Sequence, residues 1–337
     1  MANLSTNFMG IALKNPIIVG ASNLVTNIDN LKALEDAGAA AIVYKSLFEE
    51  QIQLEHYEMD AQMNDYDERH AEMVNIFPNL RHAGPAEHLV HLRKARETVK
   101  IPLIASLNAV YKESWIEYAK LIQETGVDAI ELNFYFVPVD FQKESKNIIK
   151  EQIDILIEVK KNLSIPVGIK LSPFYTNTLR VISMMDKAGA DGFVLFNKMF
   201  EPEIDVDLQD HYSPFNLSSE NDHRLPLRYA GLLSGKVKAS ICSSTGIFTG
   251  KDVIKMILAG GDAVQIVSTL YKNKISHLST MLTEIEQWMT EKGYDNLKDF
   301  RGKLSAQKTT NPFIYKRGQY IDLLMRSEDL INSYSLR

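Results

Sequence analysis

The amino-acid sequence predicts a single (β/α)8 TIM barrel, from a recurring helix–glycine–strand unit and from a count of eight strand–helix pairs. The unit is clearest at four places, where glycine separates a helix from a buried apolar run: residues 36–43, 125–132, 188–195 and 259–269. Glycine favours the end of a helix because it adopts the left-handed conformation without steric strain. The apolar run that follows is typical of a parallel strand covered on both faces.

Eight predicted strands alternate with eight predicted helices, which is the number that a closed barrel needs. The strands are Pro16–Ala21, Ala40–Lys45, Ile101–Leu107, Ala129–Asn133, Pro166–Lys170, Gly192–Asn197, Ala239–Ser243 and the apolar part of 259–269. The helices that follow them lie near 29–36, 85–95, 113–124, 147–163, 176–188, 227–233, from about 249 onward, and at 275–292.

Residues 1–337 are predicted to form one domain, because no proline- or glycine-rich linker divides the chain. The barrel core runs from about residue 14 to 292, and residues 293–337 form a C-terminal extension. Long insertions follow the second strand (about 46–84) and the sixth (about 198–224). The first insertion is far longer than an ordinary loop between a strand and a helix, so we expect it to contribute to the function of the protein.

The composition predicts a soluble, cytoplasmic protein. Its net charge of −6 argues against nucleic acid as a partner, because such proteins usually carry a basic excess. The one cysteine, Cys242, excludes an internal disulfide and fits a reducing compartment. We expect no signal peptide, because residues 1–6 do not show a basic segment followed by an apolar one. No stretch approaches the roughly 18 apolar residues of a membrane helix.

Polar residues at the C-terminal ends of the strands are the candidates for an active site, because barrel enzymes place their chemistry there. They are Ser22, Asn23, Lys45, Ser46, Asn108, Asn133, Lys170, Asn197, Ser243 to Gly246, and Val267 to Thr269. This set lacks the paired carboxylates of a glycosidase. It contains no histidine spacing suited to a metal, so no metal site is predicted, and a serine–histidine hydrolase has little support.

Strands seven and eight end in small polar turns, which is where barrels commonly bind a phosphate. The turns are Ser244-Thr245-Gly246 and Val267-Ser268-Thr269. Glycines in such turns can serve the turn alone, but the two neighbouring loops together favour phosphate binding.

Lys45 and Lys170 each end an apolar strand, where a buried ammonium group is costly without an anionic partner. Either lysine could instead point to solvent or pair with a carboxylate of the chain. One external partner that suits both is a reduced flavin, whose N1 and O2 carry negative charge.

An ordered series of short motifs resembles the dihydroorotate dehydrogenase family of FMN-dependent barrel enzymes over nearly the whole chain. The segments are 8–22 with Lys14-Asn15-Pro16, Tyr44-Lys45-Ser46, Glu131-Leu132-Asn133, 168–173, 245–269 and 293–304. The resemblance implies FMN across the barrel mouth, held by Ala21, Ser22, Lys45, Ser46, Asn108, Asn133, Lys170, Asn197, Ser244, Thr245, Gly246, Val267, Ser268 and Thr269. It also implies that Asn75, Asn133 and Asn197 bind the substrate ring.

The chain departs from the family's pattern at the catalytic base, which is a cysteine or serine in the segment after the fourth strand. Here that segment is Asn133-Phe134-Tyr135-Phe136-Val137-Pro138. Tyr135 is the nearest ionisable residue, although a phenol with a pKa of about 10 is a poor base and can equally line the site. Lys45 and Tyr135 are therefore the catalytic candidates. Lys198 also stands where the family has a small hydroxyl residue, and Asn216 to Ser219 replace a glycine-rich loop.

The leading interpretation is an FMN oxidoreductase acting on CH–CH groups of dihydroorotate or of a related cyclic or unsaturated compound. Two alternatives stay open. One is a flavin-free phosphate-binding barrel lyase or isomerase that uses Lys45 or Lys170 as a Schiff base. The other is an FMN-binding barrel without turnover. The resemblance further implies a small-molecule substrate, a soluble electron acceptor and a homodimer.

Overall fold

The computed structural model describes residues 2–50, 52 and 85–325. Its strands in these ranges are β1 Thr6–Phe8, β2 Ile11–Leu13, β3 Ile17–Val19, β4 Ala41–Val43, β5 Leu47–Phe48, β6 Leu103–Asn108, β7 Ala129–Phe134, β8 Val167–Leu171, β9 Gly192–Leu195, β10 Glu203–Asp205, β11 Asp210–Tyr212, β12 Ser240–Ser244 and β13 Ala263–Ile266. Eight of them form a closed parallel barrel in the order β3-β4-β6-β7-β8-β9-β12-β13, with β13 pairing back to β3. The predicted (β/α)8 barrel is confirmed.

Each predicted helix has a counterpart around the barrel. The helices are α1 Ile28–Asp36, α2 Ala86–Thr98, α3 Lys112–Gln123, α4 Ser145–Asn162, α5 Thr178–Lys187, α6 Arg224–Leu233, α7 Gly250–Ala259, α8 Ser268–Asn273, α9 His277–Lys292 and α10 Gly318–Met325. The short helix α8 was not predicted. It starts two residues after the end of β13 and ends at Asn273, and Lys274, with φ of 70°, separates it from α9.

An antiparallel hairpin, β1–β2, closes the N-terminal end of the barrel, and the sequence did not predict it. Phe8 and Met9 at its tip are buried and pack inside the barrel beside Cys242. Gly168 and Gly192 leave the room for this tip, since a Cβ at Gly192 would lie 2.6 Å from Met9 Cγ and 2.9 Å from Phe8 Cε2. The opposite end of the barrel is therefore the open one.

The second insertion lies at this open end. It follows β9 and forms the exposed hairpin β10–β11 within the predicted range 198–224. Most of the first insertion, including Asn75, lies outside the described residues.

The first part of the C-terminal extension packs against helix α7. Phe300 is fully buried, and the backbone N–H groups of Gly302 and Leu304 each donate to a carbonyl of the α7 segment, Ile257 and Leu258, at 2.9 Å. Among the described residues, no helix combines the length and apolar character needed to cross a membrane.

Candidate active site

A cavity of about 470 Å³ opens at the C-terminal ends of the barrel strands, a size typical of small-molecule sites. The structure brings most of the predicted site residues together in its lining: Ala21, Ser22, Lys45, Ser46, Asn133, Tyr135, Lys170, Asn197, Ser244, Thr245, Gly246, Val267 and Ser268. Asn108 and Thr269 are buried beside it without lining it. Asn75 falls outside the described part of the chain.

Three buried polar side chains, Glu131, Lys170 and Gln265, meet across the barrel interior at the bottom of the cavity, where Lys170 and Gln265 are part of its lining. Gln265 Nε2 donates to Glu131 Oε2 at 2.5 Å, and Lys170 Nζ donates to Gln265 Oε1 at 3.2 Å. Lys170 Nζ also lies 3.7 Å from Glu131 Oε1, an atom that accepts no hydrogen bond. A buried ammonium group needs an anionic partner, and the barrel itself provides one for Lys170 in Glu131.

Lys45 lies on the β4 side of the cavity, next to Ser46 and His88. No hydrogen bond or carboxylate contact joins it to another residue of the described ranges. The Ser46 and Ser106 hydroxyls are 2.7 Å apart. Burial first, and then the positive charges of Lys45 and His91, lower the pKa of His88 from 6.5 to about 4. His88 is therefore neutral near pH 7, and Lys45 presents the positive charge on this side.

Asn133 and Asn197 form an amide pair at the ends of β7 and β9. Asn197 Nδ2 donates to Asn133 Oδ1 at 2.6 Å, and both side chains are largely buried. Within the described structure this leaves the Asn133 Nδ2 donor and the Asn197 Oδ1 acceptor without protein partners. A free donor beside a free acceptor is complementary to a cyclic amide or imide.

Tyr135 is fixed at both ends by neighbouring loops. Its hydroxyl accepts a hydrogen bond from the backbone N–H of Phe200 at 3.0 Å. Asn108 Nδ2 donates to its carbonyl at 3.3 Å. Asn108 thus acts on the site through the Tyr135 backbone, and the phenol is positioned on the cavity wall.

The polar loops after β12 and β13 are joined by Ser218, from the loop that precedes helix α6. Its Oγ accepts from the Gly246 backbone N–H at 3.2 Å and donates to Ser268 Oγ at 2.8 Å. Gly246 has φ 70°, and a Cβ there would lie 2.9 Å from Ser219 O, so this turn requires glycine. The result is a cluster of hydroxyl and N–H groups on one wall of the cavity.

Val267 and Thr269 have structural contacts that the sequence did not reveal. A Cβ at Gly20 would lie 2.8 Å from Val267 Cγ2, so the glycine on β3 makes room for the valine. Thr269 is fully buried, and its hydroxyl donates to the Phe248 carbonyl at 3.2 Å.

Several lining residues were not assigned to the site from the sequence. They are Phe48, Lys198, Phe200, Phe215, Asn216, Leu217, Ser218, Ile247, Gln265, Ile266 and Tyr271. A signal was available for Gln265, because a single polar residue in the middle of an apolar strand needs a buried partner. Among the described residues there is no group of three or more histidine, cysteine or acidic side chains that could hold a metal ion.

Comparison with known proteins gives one consistent family. The sequence pattern that defines the dihydroorotate dehydrogenase family matches residues 3–289. The catalytic subunit of dihydroorotate dehydrogenase B (NAD+) from Thermoplasma acidophilum is 28% identical over 308 residues, 90% of this chain and 99% of the relative. A chloroplastic dihydropyrimidine dehydrogenase (NADP+) from Arabidopsis thaliana is 22% identical, over 94% of this chain and 80% of the relative. Dihydroorotate dehydrogenase A (fumarate) from Lactobacillus delbrueckii subsp. bulgaricus is 26% identical, over 65% and 72% respectively.

Proposed function

The chain belongs to the dihydroorotate dehydrogenase family of FMN-dependent oxidoreductases acting on CH–CH groups, and we propose that its site lies in the cavity at the barrel mouth. We further propose that the substrate is dihydroorotate or a related cyclic or unsaturated compound. The observation that carries the proposal is the cavity lining, which joins lysines, an amide pair and a cluster of hydroxyl and N–H groups around one space.

The residues present fit FMN in charge and in hydrogen-bonding capacity. Ser22 follows β3 and lines the cavity, and its buried hydroxyl has no hydrogen-bond partner among the described residues, so it has capacity left for a polar ligand atom. Lys45 and Lys170 would hold the pyrimidine edge of the flavin ring, with Ala21, Ser22 and Ser46 beside it. The cluster around Ser244, Thr245, Gly246, Val267 and Ser268, joined by Ser218, would hold the phosphate.

Bound FMN would supply the two-electron acceptor or donor for the interconversion of a CH–CH and a C=C bond. The chain's own residues orient the substrate and move its proton. The free amide donor of Asn133 and the free acceptor of Asn197 would fix the plane of a cyclic amide. Lys45 would attract an acidic group of the substrate and stabilise negative charge that develops beside it.

Tyr135 is a group on the cavity wall that can exchange a proton with the substrate. Its hydroxyl accepts the Phe200 N–H, and its own proton is free to be donated within the described structure. A phenol suits proton donation better than proton removal at neutral pH. The absence of cysteine and serine from residues 133–138 therefore favours reduction of an activated C=C bond at least as much as oxidation of dihydroorotate.

Family membership does not favour the flavin-free lyase or isomerase. Kinetic measurements distinguish an enzyme from an FMN-binding protein that has no turnover. We also propose a soluble electron acceptor, a cytoplasmic location and a homodimer. The residue boundaries given above, a core of about 14–292 and an extension of 293–337, belong to the same proposal.

The experiment is to purify the protein and record its absorbance, then to mix it anaerobically in a stopped-flow instrument with dihydroorotate and with other cyclic CH–CH donors. We expect a yellow protein that releases FMN on denaturation and is bleached by at least one donor. The reduced protein should be reoxidised by an unsaturated acceptor. A colourless protein that takes up no added FMN would contradict the proposed function. Bound flavin that no donor reduces and no unsaturated compound reoxidises would support the FMN-binding barrel without turnover.

A further inference from the structure

The described lining of the cavity contains three lysines and no aspartate or glutamate. Lys45 comes from the end of β4 and Lys170 from β8, and both are assigned to the flavin ring above. The third, Lys198, follows β9, which lies opposite β4 in the barrel order. It is the positive charge of the cavity that the proposed function does not yet use.

Among the described residues, Asp222 is the one ionic partner of Lys198, and the contact is weak. Its Nζ lies 3.4 Å from Asp222 Oδ2, and both side chains are about one-third exposed. The same carboxylate oxygen accepts the backbone N–H of Ser219 at 2.8 Å, closer than the ammonium group. Within the described structure two of the three Nζ hydrogens therefore have no acceptor.

Asp222 does not line the cavity. Its carboxylate accepts the backbone N–H of Ser219 in the turn just before helix α6. Its pKa is lowered, against the effect of its own partial burial, by the Ser219 N–H and by Lys198. Asp222 thus stays ionised and anchors the ammonium group beside the cavity. It does not remove the positive charge from the wall, because an exposed pair of this length is weak.

We propose that Lys198 binds an anionic group of the substrate on the β9 side of the cavity, and so determines substrate specificity. The substrate class is a cyclic compound with an acidic group at this end, in addition to any group bound beside Lys45. This inference rests on the proposed function for the location of the substrate, and it deepens that function by naming the charge of the ligand. Its neighbour Asn197 already presents a free amide oxygen, so the two side chains together would recognise an acidic group next to an N–H group.

The test uses two probes that differ by one charge: benzene-1,3-dicarboxylate and its monoamide. Each is titrated into the full-length protein, with binding followed by calorimetry and by the change in the flavin absorbance spectrum. The wild-type protein should bind the dicarboxylate about tenfold more tightly than the monoamide, the factor expected for one partly desolvated charge pair. In Lys198→Met the two probes should bind within about twofold of each other, whereas Lys198→Arg should keep the preference.

Asp222→Asn distinguishes ligand binding from a purely structural ion pair. Asparagine can still accept the Ser219 N–H, so the cap survives while the negative charge is lost. A ligand-binding Lys198 keeps or increases the preference for the dicarboxylate in this variant. Lys236→Met, an exposed lysine next to the N-terminal end of β12, is the matched control and should behave as wild type.

The proposal is overturned if Lys198→Met keeps the wild-type preference, or if the wild-type protein shows no preference between the probes. Colourless protein would count against the proposed function instead, and calorimetry would still report the Lys198 dependence. Thermal unfolding of each variant separates a binding defect from a folding defect. Because the Lys198–Asp222 pair is partly exposed, the melting temperatures should stay close to that of the wild type.

Discussion

Lys170 is a buried positive charge at the bottom of the candidate site, and a buried carboxylate lies close to it. The nearby Glu131 is 1% exposed, and its Oε1 accepts no hydrogen bond, so the carboxylate depends on Lys170 for charge compensation. Gln265 accepts a hydrogen bond from Lys170 and donates one to Glu131, so the two charged side chains are linked without a short direct contact. Removing one member of such a group leaves an uncompensated buried charge.

We expect Lys170→Met to lower the free energy of unfolding by about 3 kcal/mol, because Glu131 then stays buried without a cation. Urea unfolding at pH 7 measures the loss. The double variant Lys170→Met/Glu131→Gln should recover most of it, since no charge is left in the barrel. A loss below about 1 kcal/mol in the single variant would show that Glu131 does not depend on Lys170.

His88 makes the stability of the protein depend on pH. It lies against the Tyr44 ring at 5.6 Å between centroids, and its buried Nε2 has no hydrogen-bond partner in the described part of the chain. Burial, followed by Lys45 and His91, lowers its pKa from 6.5 to about 4. Between these two pH values the unfolded chain binds the proton and the folded chain does not. The contribution of His88 to stability is therefore complete above pH 6.5 and is lost as the pH falls towards 4.

We expect His88→Phe to flatten the dependence of stability on pH between 6.5 and 4, because phenylalanine keeps the ring packing and binds no proton. The difference in pKa corresponds to roughly 3 kcal/mol at 1.36 kcal/mol per pKa unit. Chemical unfolding at a series of pH values measures the slope. The control is Lys94→Gln on the same helix, an exposed residue that is not among the causes of the His88 pKa shift and should leave the slope nearly unchanged. An equal slope in wild type and His88→Phe would contradict the assignment.

At the scale of elements, the β1–β2 hairpin is a plug whose fit depends on glycine in the barrel strands. A side chain at Gly192 would meet Met9 and Phe8, as the distances of 2.6 and 2.9 Å show.

We expect Gly192→Ala to destabilise the protein by roughly 1–3 kcal/mol through overpacking. In Met9→Ala/Gly192→Ala the two losses should be less than additive, because the smaller residue 9 makes room for the new methyl group. Thermal or urea unfolding of the four proteins of this cycle gives the coupling, and strict additivity would contradict it.

The barrel strands could be predicted from the sequence because each is a run of apolar residues flanked by a glycine or a polar turn. The hairpin could not, since Thr6–Phe8 and Ile11–Leu13 are three residues long and too short to show a period. The hairpin β10–β11 is exposed and mostly polar, so its strands have no buried apolar face whose alternation could be recognised in the sequence.

The site was predictable in its position and less so in its contacts. Barrel topology places Lys45, Asn133, Lys170 and Asn197 at one mouth, and they line one cavity. The contacts of Gln265 and Ser218 depend on strands and loops that are far apart in sequence. Gln265, for example, is separated by 134 residues from the Glu131 carboxylate to which it donates. Such pairs form only when the barrel closes.

At the scale of the whole molecule, the candidate site joins parts of the chain that only the folded barrel brings together. Lys45 follows the second barrel strand, whereas Ser244 and Ser268 follow the last two. The site is therefore absent from the unfolded chain, and a ligand bound there adds its binding free energy to the stability of the fold.

We expect FMN at 100 times its dissociation constant to stabilise the protein by about 2.7 kcal/mol. Riboflavin at the same concentration should stabilise it less, because it lacks the phosphate assigned to the loops after β12 and β13. The comparison is made by thermal unfolding of the flavin-free protein with each ligand. Ser218→Ala and Ser268→Ala should reduce the effect of FMN and leave that of riboflavin nearly unchanged, since Ser218 Oγ joins the Gly246 N–H to Ser268 Oγ. If riboflavin stabilised the protein as much as FMN does, the phosphate would not bind at these loops, and the site would have to be assigned from the Lys45 and Lys170 side alone.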